Sequence, residues 1–226
     1  MADPIVFSDI YGTTGVGFLV GETSSGSAAR RKQYANDAYV TLAGIKGFWR
    51  KRSSDYTAAS SPALVDGTYQ YNVPSTFDSV YRLYYRQSGK AIDVPFVSDD
   101  LWLDESKIAT NDKGYPLMAR LVDNGANIRF ELSPRISQSF ITAIGTLSFE
   151  FFISIVRLVS DTDAPILPAN LRHWIIPYGA YLYALGQGDI ELARSLQAQA
   201  VEGRNTILKH DLTRTGRPRQ LRPSSA

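Results

Sequence analysis

In the stretch "LSFEFFISIV", residues 147–156, every second side chain is large and apolar: Leu147, Phe149, Phe151, Ile153 and Ile155. Successive residues of an extended chain face opposite sides, so this spacing commits the segment to a sheet with one buried face. Ser148, Glu150 and Ser154 lie on the other face. The same period of two begins after residue 64. In "LVDGTYQYNVP", Tyr69, Tyr71 and Val73 share a face after an Asp66-Gly67 turn. "SVYRLYY", "KAIDVPF" and "NIRFEL" continue the pattern, separated by Ser88-Gly89, residues 111–114, Asn124-Gly125 and Ser133-Pro134. The spacing predicts an antiparallel β-domain of about five to seven strands.

On both sides of this region the period is helical. From Ser27, "SAARRKQYANDAYVTLAGIKGFW" places Tyr34, Ala38, Leu42 and Ile45 at spacings of four, four and three. Ser27 is the expected N-cap, and Gly44 or Gly47 the expected stop. After "DTDAPILPAN", Leu171, Trp174, Tyr178, Tyr181, Leu182 and Leu185 again keep a helical spacing. Pro177 interrupts it, and either kinks the helix or marks its first turn. Gly186 or Gly188 ends it. Asp189 caps a further helix whose face is Leu192, Leu196, Ala200, Ile207 and Leu208. None of the three helices can bury its stripe alone. The expected fold class is therefore α+β: a helical bundle of the early helix and a C-terminal helical hairpin, with an antiparallel β-domain inserted between them.

The boundaries that follow are residues 27–60 and 161–210 for a discontinuous helical domain and 61–160 for the β-domain. Residues 1–26 are rich in Gly, Ser and Thr with scattered apolars, and read as an N-terminal arm that orders only against something else. Residues 211–226 read as a basic C-terminal tail. From Lys209 onward, Lys209, Arg214, Arg217, Arg219 and Arg222 face a single acid, Asp211. Such a tail suits nucleic acid or an acidic protein groove. Pro218, Gln220 and Leu221 between the arginines favour an extended strand over a helix.

Most chemistry is excluded by what is missing. The chain of 226 residues has no cysteine, which rules out a disulfide framework and thiol chemistry and fits a reducing compartment. "MADPIVFSDIYGTTG" lacks the basic start and apolar run of a signal peptide. The apolar stretch at 149–159 is broken by Glu150 and Arg157, so no membrane span is expected. "GETSSGSA", residues 21–28, has phosphate-loop spacing, but Ser27 stands where the lysine is needed. The two histidines, His173 and His210, have no carboxylate at ligand spacing. Asp99, Asp100, Asp104 and Glu105 in "SDDLWLDES" lack the glycine and spacing of a calcium loop. No catalytic, cofactor-binding or metal-ligating residue is expected, and the chain is not expected to be an enzyme.

The basic clusters Arg30-Arg31-Lys32 and Arg50-Lys51-Arg52 flank the early helix and read as helix-end charges facing solvent or a neighbouring subunit. The hairpin at 171–205 reads as a packing element, since its second helix carries Glu191, Gln197, Gln199 and Glu202 against Arg194 and Arg204. Trp49 and Trp174 stand at the edges of apolar stripes. Together with Tyr178 and Leu182 they are the expected anchors of the helical domain. Thirteen tyrosines, ten phenylalanines and three tryptophans exceed what a modest core needs, which points to interfaces.

Taken in order, these pieces resemble the head-to-tail adaptor proteins of tailed bacteriophages, a group that includes the tail tubular protein A type. In that family an "N-x-A" helix leads to a tryptophan, and a "Y-x-x-P-x-x-F" strand opens an inserted β-domain. A helix then ends near "G-D", and a long Ala-rich helix follows. Asn36 and Ala38, Trp49, Tyr71, Pro74 and Phe77, and Gly188-Asp189 fall on those places. The resemblance spans roughly residues 30–210.

The resemblance implies a homo-oligomeric ring of twelve copies in the virion, at the head–tail junction, assembled in the host cytoplasm. Such a ring docks beneath the portal protein, continues the channel through which genomic double-stranded DNA passes, and offers a platform to the next tail or nozzle component. It implies no cofactor, no catalysis and no membrane. Lys209, Arg214, Arg217, Arg219, Leu221 and Arg222 are then the expected portal contacts, with Leu221 as an apolar anchor. The alternative, of a different class, is a tail tube, nozzle or baseplate subunit that uses its β-domain as a tube or attachment module. A third reading, a carbohydrate-binding or hydrolytic β-domain, requires an exposed aromatic platform beside paired carboxylates. Trp102, between Asp100 and Asp104, is the place to look for it.

Overall fold

The structure, a computed structural model, describes residues 5–45, 47–102, 112–123, 125 and 127–215. The chain is α+β and divides into two compact units, Met1–Arg50 with Ile155–Ala226, and Lys51–Ser154. The first holds helices α1 (Phe7–Tyr11), α2 (Val16–Leu19), α3 (Ala28–Ala43), α5 (Ile175–Gln187) and α6 (Ile190–Thr215). The second holds the strands and the short helix α4 (Gln138–Ala143).

In the helical unit α3 buries Ala35, Ala38, Tyr39 and Leu42, at the three-and-four spacing of one helix face. Tyr34 packs edge-on to Tyr183 of α5 with ring centres 5.5 Å apart. Ser27 precedes the helix, but its hydroxyl donates to the Ser24 carbonyl (3.1 Å) rather than capping the first turn. Asn36 closes the unit across the sequence. Its Nδ2 donates to the Leu158 carbonyl (2.9 Å), and the Leu158 N–H donates to its Oδ1 (2.8 Å). Both residues are buried.

The N-terminal segment is not an arm. Phe7, Ile10 and Val16 are fully buried in the same core as α3. The N–H groups of Phe7 and Ser8 donate to the carbonyls of Asp163 (2.8 Å) and Asp161 (3.0 Å). Arg31, 3% exposed, holds the carbonyls of Tyr11 (3.1 Å), Glu22 (2.6 Å) and Ser24 (3.1 Å) as well as the Ser27 hydroxyl. The glycines that suggested a loose arm serve close packing. At Gly15 a Cβ would lie 2.1 Å from the Ile10 carbonyl oxygen, a distance no side chain tolerates.

At the C-terminal end, a 3-10 turn (Ala169–Trp174) runs into α5. Pro177 is the third residue of α5, inside the first turn, where its missing N–H has no intrahelical partner to lose. It marks the first turn and does not kink the helix. Gly188, left-handed at φ 76°, ends α5, and the Asp189 carboxylate accepts from the Leu192 N–H (3.0 Å) to start α6. α6 buries Ala193, Leu196, Ala200 and Ile207. Leu208, expected on that face, is exposed at 38%. α6 also extends to Thr215, so the first residues of the expected extended tail are helical. From Arg204 to Thr215 no Gly or Pro interrupts the run.

The second unit has nine strands among the described residues: β1 (Lys51–Thr57), β2 (Gln70–Asn72), β3 (Phe77–Gln87), β4 (Lys90–Val94), β5 (Lys113–Gly114), β6 (Met118–Asp123), β7 (Ile128–Ser133), β8 (Arg135–Ile136) and β9 (Thr146–Ile153). They form an antiparallel sheet in the order β1-β9-β3-β4 and a second in the order β2-β7-β6. The two-residue strands β5 and β8 pair parallel, a departure from the all-antiparallel expectation. An aromatic core joins the two sheets: Phe130 of β7 lies 5.4 Å from Phe149 of β9, and Tyr71 of β2 lies 5.5 Å from Tyr56 of β1. Leu147, Phe149 and Phe151 are buried, as their alternation requires.

Both expected borders of the β-domain move by several residues. Lys51–Thr57, assigned to the helical domain, is strand β1 at the sheet edge. Tyr56 is its one buried side chain, so it carries no apolar alternation. At the other border β9 stops at Ile153. Ile155 and Leu158 pack in the helical core.

Candidate functional site

The alternate residues of β7 opposite its core-facing Phe130 and Leu132 are Arg129, Glu131 and Ser133. Glu131 and Ser133 are nevertheless buried, at 4% and 3% exposure. The sheet register sets Gln70 of β2 and Arg120 of β6 on either side of Glu131. A carboxylate this deep is tolerated only when its lone pairs are met. Gln70 Nε2 donates to Oε1 (2.7 Å), and Arg120 donates Nε (2.9 Å) and Nη2 (2.7 Å) to Oε2. Arg129 approaches Oε1 at 3.5 Å.

Arg120 also lies 4.9 Å from the centre of the Trp102 ring and reaches Asp99 at 3.3 Å. Tyr69, Trp102, Arg120 and Glu131, with Leu132, Ser133 and Arg135, line a cavity of about 210 Å³. The Arg135 guanidinium stands 4.8 Å from the Tyr69 ring centre. Its Nε and the Ser133 Oγ are both buried and have no hydrogen-bond partner among the described residues. This cluster is the most chemically loaded place in the described chain, and sequence reasoning did not find it. One signal was present: an arginine, a glutamate and a serine at alternate positions of a strand are too polar for a buried face unless partners lie across the sheet.

Trp102 itself is 5% exposed. Its ring is not the open platform that the carbohydrate-binding or hydrolytic reading requires. Asp104 and Glu105 lie outside the described residues. Among the described residues no three His, Asp or Glu side chains are grouped to hold a metal ion.

The basic clusters divide between buried and exposed positions: Arg31 and Arg50 are buried, Arg30 and Arg52 are exposed, and Lys32 and Lys51 are partly exposed. Arg30 donates to Gln187 (2.9 Å), and Arg31 is buried as described. Lys32 pairs with Asp161 (2.7 Å) and lies 4.6 Å from the Tyr11 ring centre. Arg50 is 4% exposed and donates to the Gly44 carbonyl (2.9 Å). Lys51 pairs with Glu150 (3.0 Å), and Arg52 donates to the Lys51 carbonyl (2.8 Å). The reading of these clusters as charges facing solvent holds for the exposed Arg30 and Arg52, and is corrected for the buried Arg31 and Arg50. The aromatic surplus is internal too. Among the described aromatic residues, only Phe18 (71%) and Tyr81 (51%) stand out as exposed.

The expected anchors lie in the helical unit. Trp49 is 5% exposed and its indole N–H donates to the Ala43 carbonyl (3.4 Å). Trp174 is half-buried over α6, where a Cβ on Gly203 would come within 2.8 Å of its ring. Tyr178 and Leu182 are partly buried against the same core. The segment after α3 meets α6 through Phe48 and His210, whose rings stack at 5.8 Å. His173 packs on Trp174 at 4.7 Å. Of the expected portal contacts, Lys209 is exposed on α6 and Arg214 lies within that helix. Both are therefore in helix and not in an extended strand. Arg217, Arg219, Leu221 and Arg222 lie outside the described residues.

No known family's sequence model matches the chain, and no curated protein matches it.

Proposed function

We propose that this chain is a structural subunit of a tailed-phage neck. Copies of it form an adaptor ring between portal and tail that continues the DNA channel, without catalysis. The observation that carries the reading is the split helical unit. α3 and the C-terminal hairpin share one core although the whole β-unit separates them in sequence, and Asn36 clamps Leu158 at the junction. The residues that carry the resemblance to phage adaptors hold structural positions throughout. Asn36 is this clamp, Ala38 and Tyr71 are core, and Trp49 is buried. The Pro74 carbonyl accepts from the Phe77 N–H (2.9 Å), and Gly188-Asp189 is the hinge of the hairpin.

Two further observations support assembly around DNA. Ile190, Val201 and Leu208 are exposed and recur three turns and then two turns apart, on one side of α6. A neighbouring copy would cover that stripe. Of the cations beside α3, Arg31 and Arg50 are buried and Lys32 and Lys51 are paired with acids, so a channel built from such subunits would grip phosphates weakly and let the duplex slide.

Negative-stain images of the purified protein, alone and with portal protein, test the reading. Rings with a central pore are expected, and Val201→Asp should dissociate them without lowering the melting temperature. Stacked tubes would instead favour a tail-tube or nozzle subunit. Single copies at every concentration, with portal present, would overturn the assembly altogether.

A further inference from the structure

We propose that the cavity on the outer face of the β2-β7-β6 sheet binds a small organic carboxylate. Two independent features point to an acceptor. Arg135 Nε–H and Ser133 Oγ–H are buried donors at this cavity without a partner among the described residues. A buried donor left unmet is destabilising, and such groups are uncommon in folded chains. The surrounding charge is also incompletely matched. Arg120 is committed to Glu131 and Asp99, and Arg129, which does not line the cavity, approaches Glu131 at 3.5 Å. Arg135 has no carboxylate within ion-pair distance among the described residues and is braced only by the face of Tyr69.

The shape of the vacancy in charge selects the ligand class. One uncommitted guanidinium beside the Glu131 carboxylate suits a monoanion, and a phosphate dianion would be repelled. A carboxylate presents two coplanar oxygens, one for the guanidinium edge and one for the hydroxyl. Tyr69 and Trp102 supply apolar wall for a short carbon body. At about 210 Å³ the cavity is smaller than drug-sized sites, which limits the ligand to roughly the size of benzoate. The same chemistry could arrive as a free acid or as an acidic side chain of another protein.

The test is a titration of the full chain with benzoate, with benzamide as the uncharged match and a blocked Gly-Glu-Gly peptide as the side-chain source. Binding is followed by calorimetry and by the indole N–H resonance of Trp102. Saturable one-to-one binding of benzoate, the peptide or both is expected, with benzamide weaker by about 10-fold or more. Arg135→Gln should weaken the binding by about 10- to 100-fold. Arg135→Lys keeps the charge without the Nε–H, and should fall between wild type and Arg135→Gln. It also decides the matter if the glutamine variant does not fold. Arg86→Gln, exposed on the other sheet, should change nothing. Benzoate binding alone assigns the site to free acids, and peptide binding alone to a partner's side chain. No saturation with either probe, equal binding of benzoate and benzamide, or affinity unchanged in both Arg135 variants would overturn the proposal.

Discussion

Asn36 spends both ends of its amide on the peptide groups of one residue, Leu158, far along the chain. Asn36→Ala would leave a buried N–H and a buried carbonyl unmet, at about 1–3 kcal/mol apiece before relaxation. A loss of about 2–4 kcal/mol in denaturant unfolding of the helical unit is expected. An unchanged midpoint would mean that water replaces the amide. Asp161 works by charge. Its hydrogen bond from Lys32, and then the one from Tyr11, hold the carboxylate below the usual range. A carboxylate depressed in the folded state adds stability above its unfolded value near pH 4, and loses it as pH falls through the lower folded value. The N-terminal helices should therefore loosen in acid before the core does. Hydrogen exchange at the Phe7 and Ser8 amides against pH measures this, and Asp161→Asn should flatten the profile.

Elements were legible where their apolar period survives. β9 announced itself because Leu147, Phe149 and Phe151 all enter the core, and α3 because Ala38 and Leu42 do. β1 did not, since an edge strand with one buried side chain has no period to display. Nor did α1 and α2, at five and four residues, too short to show a helical repeat. Their order comes from core burial of Phe7, Ile10 and Val16 and from the carbonyls that Arg31 holds around them, and the partners of one buried guanidinium leave no pattern in a sequence. The cavity was hidden for the same reason: Gln70, Arg120 and Glu131 meet only through sheet register. Trp49 and Trp174, equal as sequence anchors, are unequal in the structure. Trp49→Ala should cost about 3–5 kcal/mol, as for a buried ring. Trp174→Ala should cost about half that, its ring being only half-buried over Gly203. Similar losses of thermal stability in both variants would refute the ranking.

At the scale of the molecule, the proposed ring needs a contact with the portal, and the basic C-terminus is the candidate. Because α6 extends to Thr215, the clean truncation removes residues 216–226 and spares the helix. Portal binding should then fall by at least about 10-fold while weak retention of free DNA changes little, since lost phosphate contacts would show as a smaller salt dependence. Portal binding that survives while DNA retention collapses would assign the tail to DNA. The pairing of Lys51 with Phe152 has a consequence of another kind. The polypeptide enters and leaves the β-unit through adjacent strands, so the distance a graft must bridge is one strand spacing, about 5 Å. The β-unit is thus a cassette. A lineage could swap it whole, or lose it and seal the cut with a short turn, while Asn36, Arg31 and Trp49 go on folding the helical chassis unchanged.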